Sequence, residues 1–208
     1  VHIFHFGHAH EKPQDADGPA RVEFSAVCLP PPFDMSFDKN LWLSNFSQAP
    51  GRFCLYDVDP GGDGRPPSLS RRQIDPSACE FPTAHPWRHG TAERFVYLMA
   101  NDRGDQLLPF RDIVKCDVTE AGGRQVWYSD GLVGEPILAP TANGGTDSAD
   151  DDGWLLVQMY RPEEHRSEIA ILDARRVDVG PVCRLKLPHR LPFSFHSTYS
   201  PELLGITN

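Results

Sequence analysis

Three segments of the chain share one design: an apolar strand that ends in aspartate, then a turn, then a second strand. Arg52 to Val58 (R-F-C-L-Y-D-V) runs into D-P-G-G-D-G and a polar strand. Asp112 to Val118 (D-I-V-K-C-D-V) runs into T-E-A-G-G and R-Q-V-W-Y. Glu168 to Ala174 (E-I-A-I-L-D-A) leads through a turn near Val179–Gly180 into V-C-R-L-K-L. The aspartates Asp57, Asp117 and Asp173 stand 60 and 56 residues apart. Aspartate at a strand end accepts N–H bonds from the turn that follows, which explains the shared residue. A unit of roughly 50–60 residues holding about four strands has the length of a propeller blade. Ordinary sandwich hairpins would use the same turns, and the near-constant spacing favours the propeller.

Further strands are expected at Val22 to Leu29, Arg94 to Met99 and Trp154 to Tyr160, with the chain already in a strand from Val1. Twenty prolines and seventeen glycines supply turns throughout, which fits short strands and an all-β fold. A helix is expected only over Asp38 to Phe46. Three blades are fewer than the four to eight of a closed propeller. With an opening strand and no initiator Met, residues 1–208 are expected to be the C-terminal part of a single β-propeller domain, its N-terminal blades absent.

The net charge of −9 and the absence of a basic stripe argue against nucleic acid as a partner. No apolar run approaches the length of a spanning helix, so any membrane contact is expected to be peripheral. The five cysteines are odd in number and contain no C-x-x-C pair, which suits reduced thiols rather than disulfides or a zinc site. The acidic stretch D-S-A-D-D-D lacks the glycine and closing glutamate of an EF-hand loop.

Candidate chemistry rests on histidines and two glutamates. Leu187 to Tyr199 (L-P-H-R-L-P-F-S-F-H-S-T-Y) alternates like a half-buried strand and holds His196 between Phe195 and Ser197. A poorly hydrated, stiffly held imidazole suits a metal ligand, and equally a core histidine satisfied by backbone groups. Four of the nine histidines fall in V-H-I-F-H-F-G-H-A-H-E. On a strand His8 and His10 share one face and His5 the other. A metal site, a pH-sensitive patch and a tag remnant all fit this density, although interleaved Phe and Ile disfavour a tag. Glu80 in C-E-F-P and Glu135 in G-E-P-I-L sit among apolar residues, where a carboxylate must be paired. Each either orients a metal-bound imidazole or accepts backbone N–H bonds at a strand end.

The segments G-E-P-I-L-A-P, D-D-G-W-L-L, S-E-I-A-I-L-D-A and L-P-H-R-L-P-F-S-F-H follow one another as in the carotenoid cleavage oxygenases. The chain resembles the C-terminal portion of that family, which includes plant and algal dioxygenases. The resemblance covers nearly the whole chain and implies a seven-bladed propeller, with about three C-terminal blades and the closing strand present here. It further implies a non-haem Fe(II) on the axis, bound by four histidines. His196 in F-H-S takes the position of the last ligand. His5 takes the third, where the family pattern is F-H-x-x-N-A-x-E. Glu80 and Glu135 match glutamates that hydrogen-bond ligand histidines, and the first two ligands belong to earlier blades.

His85, His89, His165 and His189 match no ligand position and are expected at the surface or in turns. His8 stands where Asn is usual, His10 where an aromatic is common, and Ser197 where Gly follows the last ligand. The implied activity is O2-dependent cleavage of a conjugated C=C bond in a carotenoid or apocarotenoid, giving two carbonyl products, with this portion alone inactive. Stilbene-like or retinoid substrates, or an iron-less interaction module, are the alternatives. Phe193 and Phe195 are candidates for the cavity wall. The resemblance also implies peripheral membrane contact, and a plastid location if the source is a plant or alga, cytoplasmic otherwise.

Overall fold

The computed structural model describes residues 2–12, 20–31, 50–62, 64–104, 108–119, 123–141 and 149–200. Twelve strands form three four-stranded antiparallel sheets, each with its strands paired in chain order. The first sheet holds β1 (His2–Glu11), β2 (Val22–Leu29), β3 (Arg52–Asp59) and β4 (Ser68–Gln73). The second holds β5 (Ala78–Thr83), β6 (Phe95–Asn101), β7 (Asp112–Asp117) and β8 (Arg124–Tyr128). The third holds β9 (Leu132–Pro140), β10 (Gly153–Arg161), β11 (Arg166–Asp173) and β12 (Pro181–Lys186). The strand β5 packs against both β1 and β9, so the first strands of the three sheets lie side by side. This all-β arrangement of four-stranded meanders is the blade architecture expected from the hairpin repeat.

Side-chain alternation explains the stacking. On β6, Val96, Leu98 and Ala100 join Val27 and Phe53 of the first sheet in one core. Tyr97 and Met99 point the other way and join Leu138, Leu155 and Leu172 of the third sheet in another. The middle sheet is therefore buried on both faces, which is why β6 and β7 read as nearly continuous apolar runs. Each fully buried large apolar side chain contributes about 1.5–3 kcal/mol. Tyr97 also donates from its hydroxyl to the Ala174 carbonyl at 3.0 Å, tying the second sheet to the third.

The hairpin aspartates divide. Asp117 accepts the Thr119 N–H at 3.0 Å and Asp173 the Arg175 N–H at 2.9 Å, as a strand-end aspartate should. Asp57 instead pairs with Lys12 and Arg21, and Asp59 takes the turn's Gly61 N–H at 2.9 Å. Lysine and arginine within reach of Asp57 outcompete the neutral amide, because charge-assisted bonds are the stronger ones.

Three sequence expectations need correction or bounding. Leu187 to Tyr199 is not a strand: regular pairing ends at Lys186, and the prolines Pro188 and Pro192 leave it irregular. The strands β5 and β9 were not foreseen, because A-C-E-F-P-T and L-V-G-E-P-I-L-A-P contain proline. Both lie at a sheet end with one side unpaired, where proline is tolerated. The expected helix Asp38 to Phe46 lies outside the described residues. All five cysteines are free thiols, four buried and Cys183 exposed. No helix among the described residues is long and apolar enough to cross a membrane.

Candidate metal centre

The side-by-side first strands each deliver one polar side chain to a common point: His5 from β1, Glu80 from β5 and Glu135 from β9. Irregularities set their aim. Pairing of β1 with β2 shifts register on both sides of Phe6, and pairing of β5 with β6 shifts between Glu80 and Thr83. Phe81 inside that second bulge has φ +53°, a strained conformation for an aromatic residue. Bulges re-aim side chains in this manner, and such strain concentrates at functional sites.

His5 Nδ1 meets Glu80 Oε2 at 2.8 Å, and the same oxygen accepts the Phe81 N–H at 3.1 Å. His196 arrives from the irregular C-terminal segment, with its Nδ1 3.2 Å from Glu135 Oε1. Glu135 Oε2 also accepts the Ser197 N–H at 2.6 Å, fixing the backbone beside the ring. With each Nδ1 donating to a carboxylate, each Nε2 presents a bare lone pair. Those two Nε2 atoms face one another at 3.3 Å. Two lone pairs so placed repel, whereas one cation shared between them satisfies both and also balances the glutamates behind. The separation is one that two neighbouring ligands of a single ion adopt, so these residues fit a metal. Among the described residues no third His, Cys, Asp or Glu joins the pair.

Aromatic rings enclose the pair. His5 packs on Phe81 with ring centroids 4.5 Å apart, and Phe195 lies 5.8 Å from His5 and 5.2 Å from Phe81. Phe4 closes the edge beside His5 at 4.6 Å. Phe195 is thus brought to the histidines. Phe193 is not: it lines a separate cleft of about 630 Å³ with Leu132, Gln158 and Leu191. The expectation that His196 is poorly hydrated is corrected, since its side chain is 55% exposed against 13% for His5.

The remaining histidines divide. His89, His165 and His189 are exposed, as expected. His85 sits in a turn, one of the two places expected for it, but is wholly buried there, accepting the Trp87 N–H at 3.3 Å. His8 and His10 do share a face of β1, stacked with centroids 5.8 Å apart and both buried. Burial, with His10 adjacent, pushes the His8 pKa down to about 4. Sequence reasoning missed Phe4 and Phe81 as neighbours of His5, although both flank predicted site residues in the chain.

Comparison with known proteins bears on this geometry. The family model described as RPE65, retinal pigment epithelial membrane protein, matches residues 1–201. The chain belongs to this family. Apocarotenoid-15,15'-oxygenase of Synechocystis sp. is 29% identical over 201 residues, 95% of this chain and 38% of that protein. Carotenoid cleavage dioxygenase 7, chloroplastic, of Oryza sativa subsp. japonica is 31% identical over 84% of this chain and 28% of its own length. A crystal structure of cobalt-substituted Synechocystis ACO superposes with a TM-score of 0.77 at 29% identity, covering 94% of this chain and 38% of that one. The chain therefore spans less than two fifths of these relatives, and its three sheets are blades of the family's β-propeller.

Proposed function

We propose that this chain is the C-terminal part of a seven-bladed propeller oxygenase that cleaves a conjugated C=C bond of a carotenoid or apocarotenoid. The observation that carries the reading is the pair of carboxylate-backed imidazoles with their Nε2 atoms 3.3 Å apart. The names of the relatives support the substrate class. His5 and His196 would hold Fe(II), which when bound supplies the O2 chemistry that cleavage of an unactivated polyene requires. Glu80 and Glu135 keep the proton of each ring on Nδ1, so that Nε2 stays a ligand, and stop the rings from turning. Phe4, Phe81 and Phe195 keep water from the inner side of the pair and offer an apolar surface to a polyene. A substrate this insoluble is delivered from a lipid phase, so peripheral membrane contact belongs to the same reading.

The test uses the protein as encoded by its native gene, purified with iron and offered a panel of carotenoids and apocarotenoids. Mass spectrometry should find paired carbonyl products, and His196→Ala should abolish both the products and the bound iron. Retained cleavage in that variant would overturn the assignment.

A further inference from the structure

Further along β1 lies a second group of donors that the proposed oxygenase chemistry does not use. His8 and His10 are 96% and 92% buried, and each has a ring nitrogen with no hydrogen-bond partner among the described residues: Nε2 of His8 and Nδ1 of His10. Burying a polar atom unpaired costs free energy, so such atoms in a folded protein call for a partner. One donor atom from each of His8, His10 and Glu23 lies within 4.8 Å of the others.

The surroundings prepare these atoms. Ser25 Oγ, 3.0 Å from His8 Nδ1, fixes that ring and leaves Nε2 directed inward. Lys12 engages Glu23 Oε2 at 2.7 Å, which leaves Oε1 available. Oε1 stands 4.0 Å from His10 Nε2, too long for a hydrogen bond. Two ligands of one tetrahedral ion at about 2.1 Å each stand roughly 3.4 Å apart, so a small closure of this pair would admit a shared ion. Gly7, between His5 and His8, has no space for a side chain, because a Cβ there would stand 2.4 Å from Ser25 Oγ. The strand is thus fixed between the two groups, and the second shares no residue with the first.

We propose that His8, His10 and Glu23 form a second metal site, which takes a borderline divalent cation of the zinc class and ties β1 to β2. Two imidazoles and one carboxylate are the ligand set such ions prefer, with water completing the shell. The ion bridges neighbouring strands beside the point where His10 forms an isolated bridge to Gly90, in the connection between β5 and β6, so it also braces the first sheet against that connection.

The experiment removes the first pair and asks whether metal remains. His5→Ala/His196→Ala is prepared metal-free and titrated with Co(II), then with Zn(II). The expected result is one equivalent of Co(II) with visible d–d bands, displaced by Zn(II), and a higher Tm with Zn(II) than with a chelator. Adding His8→Ala and His10→Ala should remove the bands and the Zn(II)-dependent rise in Tm, and Glu23→Gln should weaken binding at least tenfold. Failure of the His5→Ala/His196→Ala protein to bind Co(II) or to gain Tm would overturn the proposal, whatever the folding of the further variants. So would binding that survives loss of both His8 and His10. Neither outcome bears on the oxygenase reading, which the cleavage assay tests separately.

Discussion

Glu93 offers a quantitative test of the buried polar layer beside β1. It is 3% exposed, and neither carboxylate oxygen has a hydrogen-bond partner of good geometry among the described residues. Burial, and then the charge of Asp150, push its pKa from 4.5 up to about 8, while Arg88 and the His85 backbone offset this only in part. Between those two values the folded protein keeps a proton that the unfolded chain has lost, so stability falls as pH rises through the window. The pH-dependent cost is small below about pH 4.5 and, at about 1.4 kcal/mol per pH unit, reaches about 5 kcal/mol above pH 8. Glu93→Gln keeps the size and the neutral form and removes the titration. Urea unfolding midpoints of both proteins, measured in chelator at pH 4.5 and pH 8.5, isolate the effect. The two should agree within about 1 kcal/mol at pH 4.5, with the variant more stable by about 4–5 kcal/mol at pH 8.5. Parallel pH profiles, or a gap that opens towards acid, would refute the reasoning.

Three further outcomes follow from named contacts. Glu80→Gln, which weakens the bond that holds His5 Nδ1, should lower metal affinity about 10–100-fold by competition titration, with the fold retained. Tyr97→Phe removes the hydroxyl bond to Ala174 and should cost about 1–2 kcal/mol in a denaturant titration. Cys28 bonds to Cys54 and Tyr56, which hold its thiol below the ordinary value, whereas burial pushes Cys79 and Cys116 up. Iodoacetamide at pH 7 should therefore modify Cys28 ahead of Cys79 and Cys116 by peptide mass mapping, and equal labelling would contradict the contrast.

Much of the fold was legible because the blades' middle strands obey simple periodicity. R-F-C-L-Y-D-V and W-L-L-V-Q-M-Y could only be strands between turns. The strands β5 and β9 were hidden because their prolines are harmless only at a sheet end, a position that chain order alone does not reveal. Leu187 to Tyr199 misled in the opposite sense, since alternation there has no partner strand behind it. Glu80 and Glu135 stood out in sequence by the cost of burying a carboxylate. That each would face the Nδ1 of a different histidine depended on bulges, which a linear pattern does not contain. His85 and Glu93 could not be recognised as buried at all, because the turn from His85 to Arg94 owes its place to packing and not to periodicity.

The central claim is that His5 and His196, backed by Glu80 and Glu135, hold one iron ion. Anomalous diffraction at the iron edge, on crystals of the iron-loaded protein encoded by its native gene, tests it most directly. The account predicts an iron peak between the Nε2 atoms of His5 and His196, with both Nδ1–carboxylate contacts intact. A fully loaded crystal with no iron density between those two atoms would contradict it.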